Sequence, residues 1–110
     1  EEALDIVPPD IFYFGGMNRS MKVARMADSK DKSCIPHISG SGLGYLYMMH
    51  FVSAVPNAGP YHEFKGFNKK LPLESTTSSL SSEDGVVTVP TAPGLGVTID
   101  TDYIAKHEAV

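Results

Sequence analysis

The chain has 110 residues, a formal net charge of −4, 42% apolar residues and a single cysteine. That length suits one domain, and the scattered acids and bases exclude the clustered Lys/Arg face of a nucleic-acid binder. No apolar run approaches the ~20 residues of a membrane span, no signal-peptide pattern opens the chain, and one cysteine cannot close an internal disulfide, so a reducing cytoplasm is the expected compartment.

In chain order, residues 1–4 read as the last turn of a helix, with no initiator methionine. Ile6-Val7 begin a buried strand. Pro8-Pro9 then remove two backbone donors just before Asp10, which suits a strand end that kinks to aim a side chain. Gly15-Gly16 supply a sharp exit. A helix capped by Asn18 or Ser20 is predicted to run to about Asp28, with Met17, Met21, Ala24 and Ala27 as its apolar stripe. Asp28 to Lys32 form a charged turn.

The next run, Ser33-Cys34-Ile35-Pro36-His37, ends abruptly on a histidine. Cys34 reads as a small buried hydrophobe. A histidine at a strand tip can take and return protons near neutrality, its unperturbed pKa being roughly 6.5; a strand-end histidine bonded only to a neighbour is the plainer alternative. Ser39-Gly40-Ser41-Gly42 follows, and its small residues let backbone N–H groups approach an anion. Ser39 and Gly40 are therefore candidate substrate-binding residues. A plain loop with Ser41 as helix N-cap accounts for the same residues. No dinucleotide fingerprint is present.

Leu43 to Val55 is apolar nearly all round and so must be covered from several directions. The cover is expected from a larger barrel or a second subunit, which makes a homo-oligomer the expected state. His50 in this run reads as a core histidine. Pro56 to Pro60 turn into a last strand in which His62 and Glu63 face opposite sides. Beyond it, Ser75 to Asp84 reads as a Ser/Thr-rich surface linker, Val86 to Val89 as a short strand, and Thr101 to Lys106 as a final short helix.

Three polar tips are regularly spaced. Asp10 precedes His37 by 27 positions (37 − 10), and Glu63 follows by 26 (63 − 37). About 30 residues make one strand–helix–strand unit, so each interval holds one βα unit. In a parallel barrel all strand tips share one face, where the chemistry sits. An acid beside a histidine fixes its tautomer and stabilises its protonated form, which makes a competent general base.

The order Pro9-Asp10, Gly15-Gly16, Pro36-His37, Val55-Pro56-Asn57 and His62-Glu63 resembles the mandelate racemase branch of the enolase superfamily. The closing Gly85-Val86-Val87-Thr88-Val89-Pro90 and Pro93-Gly94-Leu95-Gly96-Val97 are similar to that family's C-terminal signature. The resemblance implies an α/β fold: the C-terminal portion of a (β/α)-barrel, strands six to eight, plus a tail that returns to a capping domain. Residues 1–66 would be the last βα units, with Asp10, His37 and Glu63 ending the three strands, and residues 67–110 the tail. A whole barrel needs roughly 250 residues, so the chain is expected to be the C-terminal piece of a longer protein, whose remaining polypeptide is a partner.

It further implies proton abstraction beside the carboxylate of a small-molecule substrate, most simply an acid-sugar dehydration. His37 would be the base and Asp10 its orienter. Glu63 would hydrogen-bond the substrate carboxylate or act as an acid. Mg2+ would be held by carboxylates of earlier strands, with no metal ligand in this chain, which alone would be inactive. The alternatives are a racemase, epimerase or cycloisomerase of the same superfamily, and a non-catalytic stand-alone αβ module.

Overall fold

A computed structural model describes residues 3–38, 42–66 and 72–106. Two compact units divide the chain, Glu1–Lys65 and Gly66–Val110. Ser39 and Gly40, the proposed substrate loop, lie outside the described residues, as does Ser41.

In the first unit, strand β1 (Ile6–Val7) pairs in parallel with β2 (Ser33–Cys34), Val7 opposite Cys34. The intervening helix α1 (Gly16–Asp28) makes this a βαβ crossover. A third parallel segment joins β2 from the other side: Cys34 bridges Ala58, its N–H donating to Asn57 O (2.8 Å) while its O accepts from Gly59 N–H (3.1 Å). Cys34 is thus the middle of three parallel segments and is fully buried, as a small hydrophobe should be. Burial pushes its thiol pKa up.

Each segment stops at a proline. The Ile35 N–H still reaches Val7 O (3.1 Å), but Pro36 has no donor to continue the ladder, as Pro8 has none after β1 and Pro60 none after Gly59. The strands are therefore shorter than expected. His37 lies beyond the paired residues, and Tyr61 to Phe64 form no strand ladder, although a last strand was expected there.

Gly59 lies so close to β2 that a Cβ there would come 2.3 Å from Ile35 Cγ1. Gly59→Ala is expected to destabilise the protein by about 1–3 kcal/mol through overpacking. Urea unfolding should show the loss, and Ile35→Ala in the same chain should recover part of it, the signature of coupled neighbours.

Helix α1 starts earlier than expected. Gly15 is its N-cap, in a left-handed conformation (φ 98°) that favours glycine, and neither Asn18 nor Ser20 caps it. Its C-terminus at Asp28 is where the pattern places it. Ala24 and Ala27 of the expected stripe are buried, joined by Ser20, whereas Met17 is exposed and Met21 half-buried. Small residues at i, i+4 and i+7 let the helix approach its neighbours closely, and Asn57 Nδ2 donates to Ala24 O (3.1 Å) and Lys32 O (2.7 Å) from across the sheet. Ala3 and Leu4, expected in a helical turn, are outside any helix.

Helix α2 (Leu43–Ala54) follows its predicted span. Val55 is already extended at its C-cap because Pro56 disfavours a helical predecessor. Gly42, not Ser41, is its N-cap. Tyr45, Leu46, Met48 and Phe51 are fully buried, each worth roughly 1.5–3 kcal/mol of apolar burial. Tyr47 is exposed and His50 half-buried.

In the second unit, β3 (Leu73–Glu74) pairs antiparallel with β6 (Thr98–Ile99), and β4 (Ser82–Glu83) with β5 (Val86–Val87). The turn between β4 and β5 is Asp84-Gly85, both at positive φ (51° and 78°), the geometry of a two-residue hairpin. The Ser/Thr-rich segment is therefore partly hairpin, and it is tied down: Ser78 Oγ donates to Thr88 O (2.6 Å), and Thr91 N–H to Thr77 Oγ1 (2.9 Å). Helix α3 (Thr101–Ala105) is capped by Asp100, which accepts from Asp102 N–H (2.9 Å).

Candidate active site

The proline stops release three polar residues from the sheet on the first unit. Past Pro9 the chain turns at once, with Phe14 N–H donating to Asp10 O (2.9 Å). One carboxylate oxygen of Asp10, Oδ1, accepts from the Phe12 and Tyr13 N–H groups (2.8 and 3.3 Å). That leaves Oδ2 to face His37 Nδ1 at 3.1 Å. Asp10 is only 11% exposed whereas His37 is 55% exposed, so the pair is anchored at the acid and open at the imidazole.

Electrostatics fixes the tautomer. Burial pushes the Asp10 carboxyl up, but the His37 hydrogen bond, the two backbone N–H groups and the His37 charge together outweigh it and hold the pKa below the usual carboxylate value. An ionised carboxylate only accepts hydrogen bonds. The Nδ1 of His37 therefore carries the hydrogen, and Nε2 is the nitrogen that can take a proton.

Glu63 reaches the same place from the third segment. Its Oε2 accepts from Ile38 N–H (3.0 Å), which holds its pKa below the ordinary glutamate value; partial desolvation works the other way, and the charges of Lys65 and His37 reinforce the lowering. Asp10, His37 and Glu63, chosen from sequence spacing, are thus brought together, with the imidazole acting electrostatically on both acids.

Two contributors escaped sequence reasoning. Lys65 Nζ donates to Ile38 O (2.9 Å) and lies 4.0 Å from Glu63 Oε1. Lys65 N–H donates to the Tyr45 hydroxyl, whose ring packs on Phe64 at 5.3 Å between centroids. Burial pushes the Tyr45 pKa up, opposed by the Lys65 N–H and reinforced by the Glu63 charge. The available signal was Glu-x-Lys in an extended run, because residues two apart face the same way. His62, outside that pair, has a buried Nδ1 with no hydrogen-bond partner among the described residues.

The lowered carboxyl values have a pH consequence. Asp10 and Glu63 bind protons less readily folded than unfolded, so their contribution is complete above the unfolded carboxylate range of roughly 4 and is lost as pH falls through the depressed folded values. Urea midpoints measured from pH 7 down to 3 should fall on the acid side, and less steeply in Asp10→Asn. Parallel curves would show that Asp10 is not the titrating group.

Among the described residues no group of three or more His, Cys, Asp or Glu side chains could hold a metal ion. They do not fit a Mg2+ site. No described helix is long and apolar enough to cross a membrane.

A family model described as enolase C-terminal domain-like matches residues 1–103. The chain is 31% identical over 108 residues to an arabinonate dehydratase of Saccharolobus solfataricus, covering 98% of this chain and 28% of that protein. A solved structure of a proposed racemase from Roseobacter denitrificans matches with a TM-score of 0.77 at 38% identity, over 94% of this chain and 30% of the other. An enolase from Pseudomonas fluorescens, solved with bound magnesium, potassium and tartrate, matches with a TM-score of 0.66 at 27% identity, over 94% and 25%. The chain therefore spans 25–30% of the length of these proteins.

Proposed function

The chain belongs to the enolase C-terminal domain-like family, and we propose that it is the part of a larger enzyme that carries the base for removing the proton beside a substrate carboxylate. The observation that carries this reading is the His37–Asp10 pair: an imidazole more than half exposed, backed at Nδ1 by a largely buried, ionised carboxylate.

His37 Nε2 takes the α-proton, and Asp10 stabilises the imidazolium that results. In a dehydration the same imidazolium returns its proton to the departing β-hydroxyl, so that water leaves and the acid–base pair is reset. An acid sugar supplies both groups, a carboxylate and a neighbouring hydroxyl, and the relative from Saccharolobus solfataricus is named for that chemistry. The lowered pKa of Glu63 supports an acceptor for a substrate hydroxyl in place of an acid. Ser39 and Gly40 complete the proposal as the loop beside His37 that meets the substrate carboxylate.

In this reading residues 1–66 end a (β/α)-barrel as strands six to eight, and residues 67–110 return to a capping domain. Magnesium would supply charge stabilisation to the enolate, from carboxylates elsewhere in the polypeptide. A cytoplasmic homo-oligomer is part of the same proposal, although α2 buries or half-buries most of its apolar residues within this chain and leaves Tyr47 exposed.

The test is to incubate the intact protein with a panel of acid sugars in deuterated water with Mg2+. Release of water to a 2-keto product, with loss of the α-hydrogen and one deuterium taken up at the neighbouring carbon, is expected. An intact α-hydrogen with every acid would overturn the reading. The likeness to the proposed racemase favours a second outcome, exchange with inversion and no loss of water, which retains His37 as base but replaces the dehydratase.

A further inference from the structure

We propose that Lys65 is a positioning residue of this site: its ammonium holds the C=O of Ile38 while the Glu63 carboxylate holds the N–H, and together they fix the backbone from which the neighbouring His37 imidazole projects. The inference rests on the reading of His37 as the base and adds to it the device that aims it.

The need for such a device follows from the proline stops. Beyond Ile35 the ladder to β1 ends because Pro36 lacks an N–H, and on the opposite side Pro60 ends the pairing after Gly59. Ile38 is nevertheless buried, 4% exposed, and buried peptide groups require partners. Both partners come from side chains of one extended segment. Glu63 Oε2 accepts the Ile38 N–H at 3.0 Å, and Lys65 Nζ donates to the Ile38 O at 2.9 Å.

Residues two apart in an extended chain face the same way, so a glutamate and a lysine at this spacing copy the acceptor and donor of a missing strand. The two charges lie 4.0 Å apart, which favours keeping both in place. The segment itself is fixed from behind, where Lys65 N–H is bonded to the buried Tyr45 hydroxyl and Phe64 packs on the Tyr45 ring. Glu63 holds the peptide that joins His37 to Ile38 and Lys65 the peptide after it, so a displacement of Ile38 shifts the backbone that carries His37, and the 3.1 Å contact to Asp10 tolerates little shift.

The experiment uses the intact protein with Lys65→Met, which keeps the apolar stem, and Lys65→Arg, which keeps charge and donor. Lys65→Met is expected to lower kcat for α-proton removal about 10–100-fold with KM within roughly threefold. It should also speed amide exchange at Ile38 about tenfold or more. Lys65→Arg should restore both most of the way. A KM rise with unchanged kcat would make Lys65 a substrate contact and overturn the proposal, as would unchanged Ile38 exchange or an arginine variant no better than methionine. Should Lys65→Met misfold, Lys65→Leu, which also lacks a donor and is shorter, carries the same expectations. If the wild-type protein exchanges no α-proton, the functional reading fails, while Ile38 exchange and the ring nitrogen shifts of His37 still decide whether Lys65 aims the imidazole.

Discussion

Asp10→Asn is expected to cost about 10⁴-fold in α-proton removal, about 5.5 kcal/mol of transition-state stabilisation, while leaving the fold intact. The asparagine carbonyl can replace Oδ1 as acceptor for the Phe12 and Tyr13 N–H groups, so the turn after β1 survives. That seating puts the amide nitrogen, a donor, where Oδ2 faces His37 Nδ1. Two donors cannot share one hydrogen bond. The imidazole then moves its hydrogen to Nε2, and the nitrogen that should accept the α-proton is blocked. The imidazolium also loses its counter-charge. Exchange of the α-proton into deuterated water measures the first effect, and ring nitrogen shifts of His37 report the tautomer directly. A variant with the wild-type rate and an unchanged tautomer would reduce the pair to a structural contact.

His37→Asn removes the base outright, and a loss of about 10³–10⁴-fold is expected, at the upper end for a single acid–base group. The asparagine amide can still donate to Asp10 but has no group that binds a proton near neutrality. Because His37 is more than half exposed, the substitution removes little packing, and the unfolding free energy from urea titration at pH 7 should change by less than about 0.5 kcal/mol. The rate and stability readouts therefore separate. Undiminished exchange in this variant would place the base elsewhere in the protein. A rate lost together with the fold would indicate a structural histidine.

Much of this site was legible in the residues because it is local chemistry repeated at a fixed interval. Asp10, His37 and Glu63 fall at spacings of 27 and 26, and Pro8-Pro9 mark where the first strand must kink and aim a side chain. The physical cause is the missing N–H, which no tertiary context restores. The Leu43–Ala54 helix was equally plain, since twelve residues without a breaker and with apolar groups on all sides leave few alternatives. The hairpin at Asp84-Gly85 was legible too, in a dipeptide that favours positive φ, and reading Ser75 to Asp84 as linker overlooked it.

Residue order carried the kink at Pro8-Pro9, the first helix end at Asp28 and the regular spacing of Asp10, His37 and Glu63. These depend on backbone donors, on helix-terminating residues and on interval length, all properties of neighbours in the chain. Only the folded packing shows that Ser20 joins Ala24 and Ala27 in the buried line while Met17 stays exposed, because close approach across the sheet selects small side chains. It alone decided that Asp10 turns Oδ2 to the imidazole, and that Glu63 and Lys65 together hold Ile38. Those contacts join residues 25 to 27 positions apart, and at such separations it is packing geometry, rather than residue type, that selects which polar groups meet.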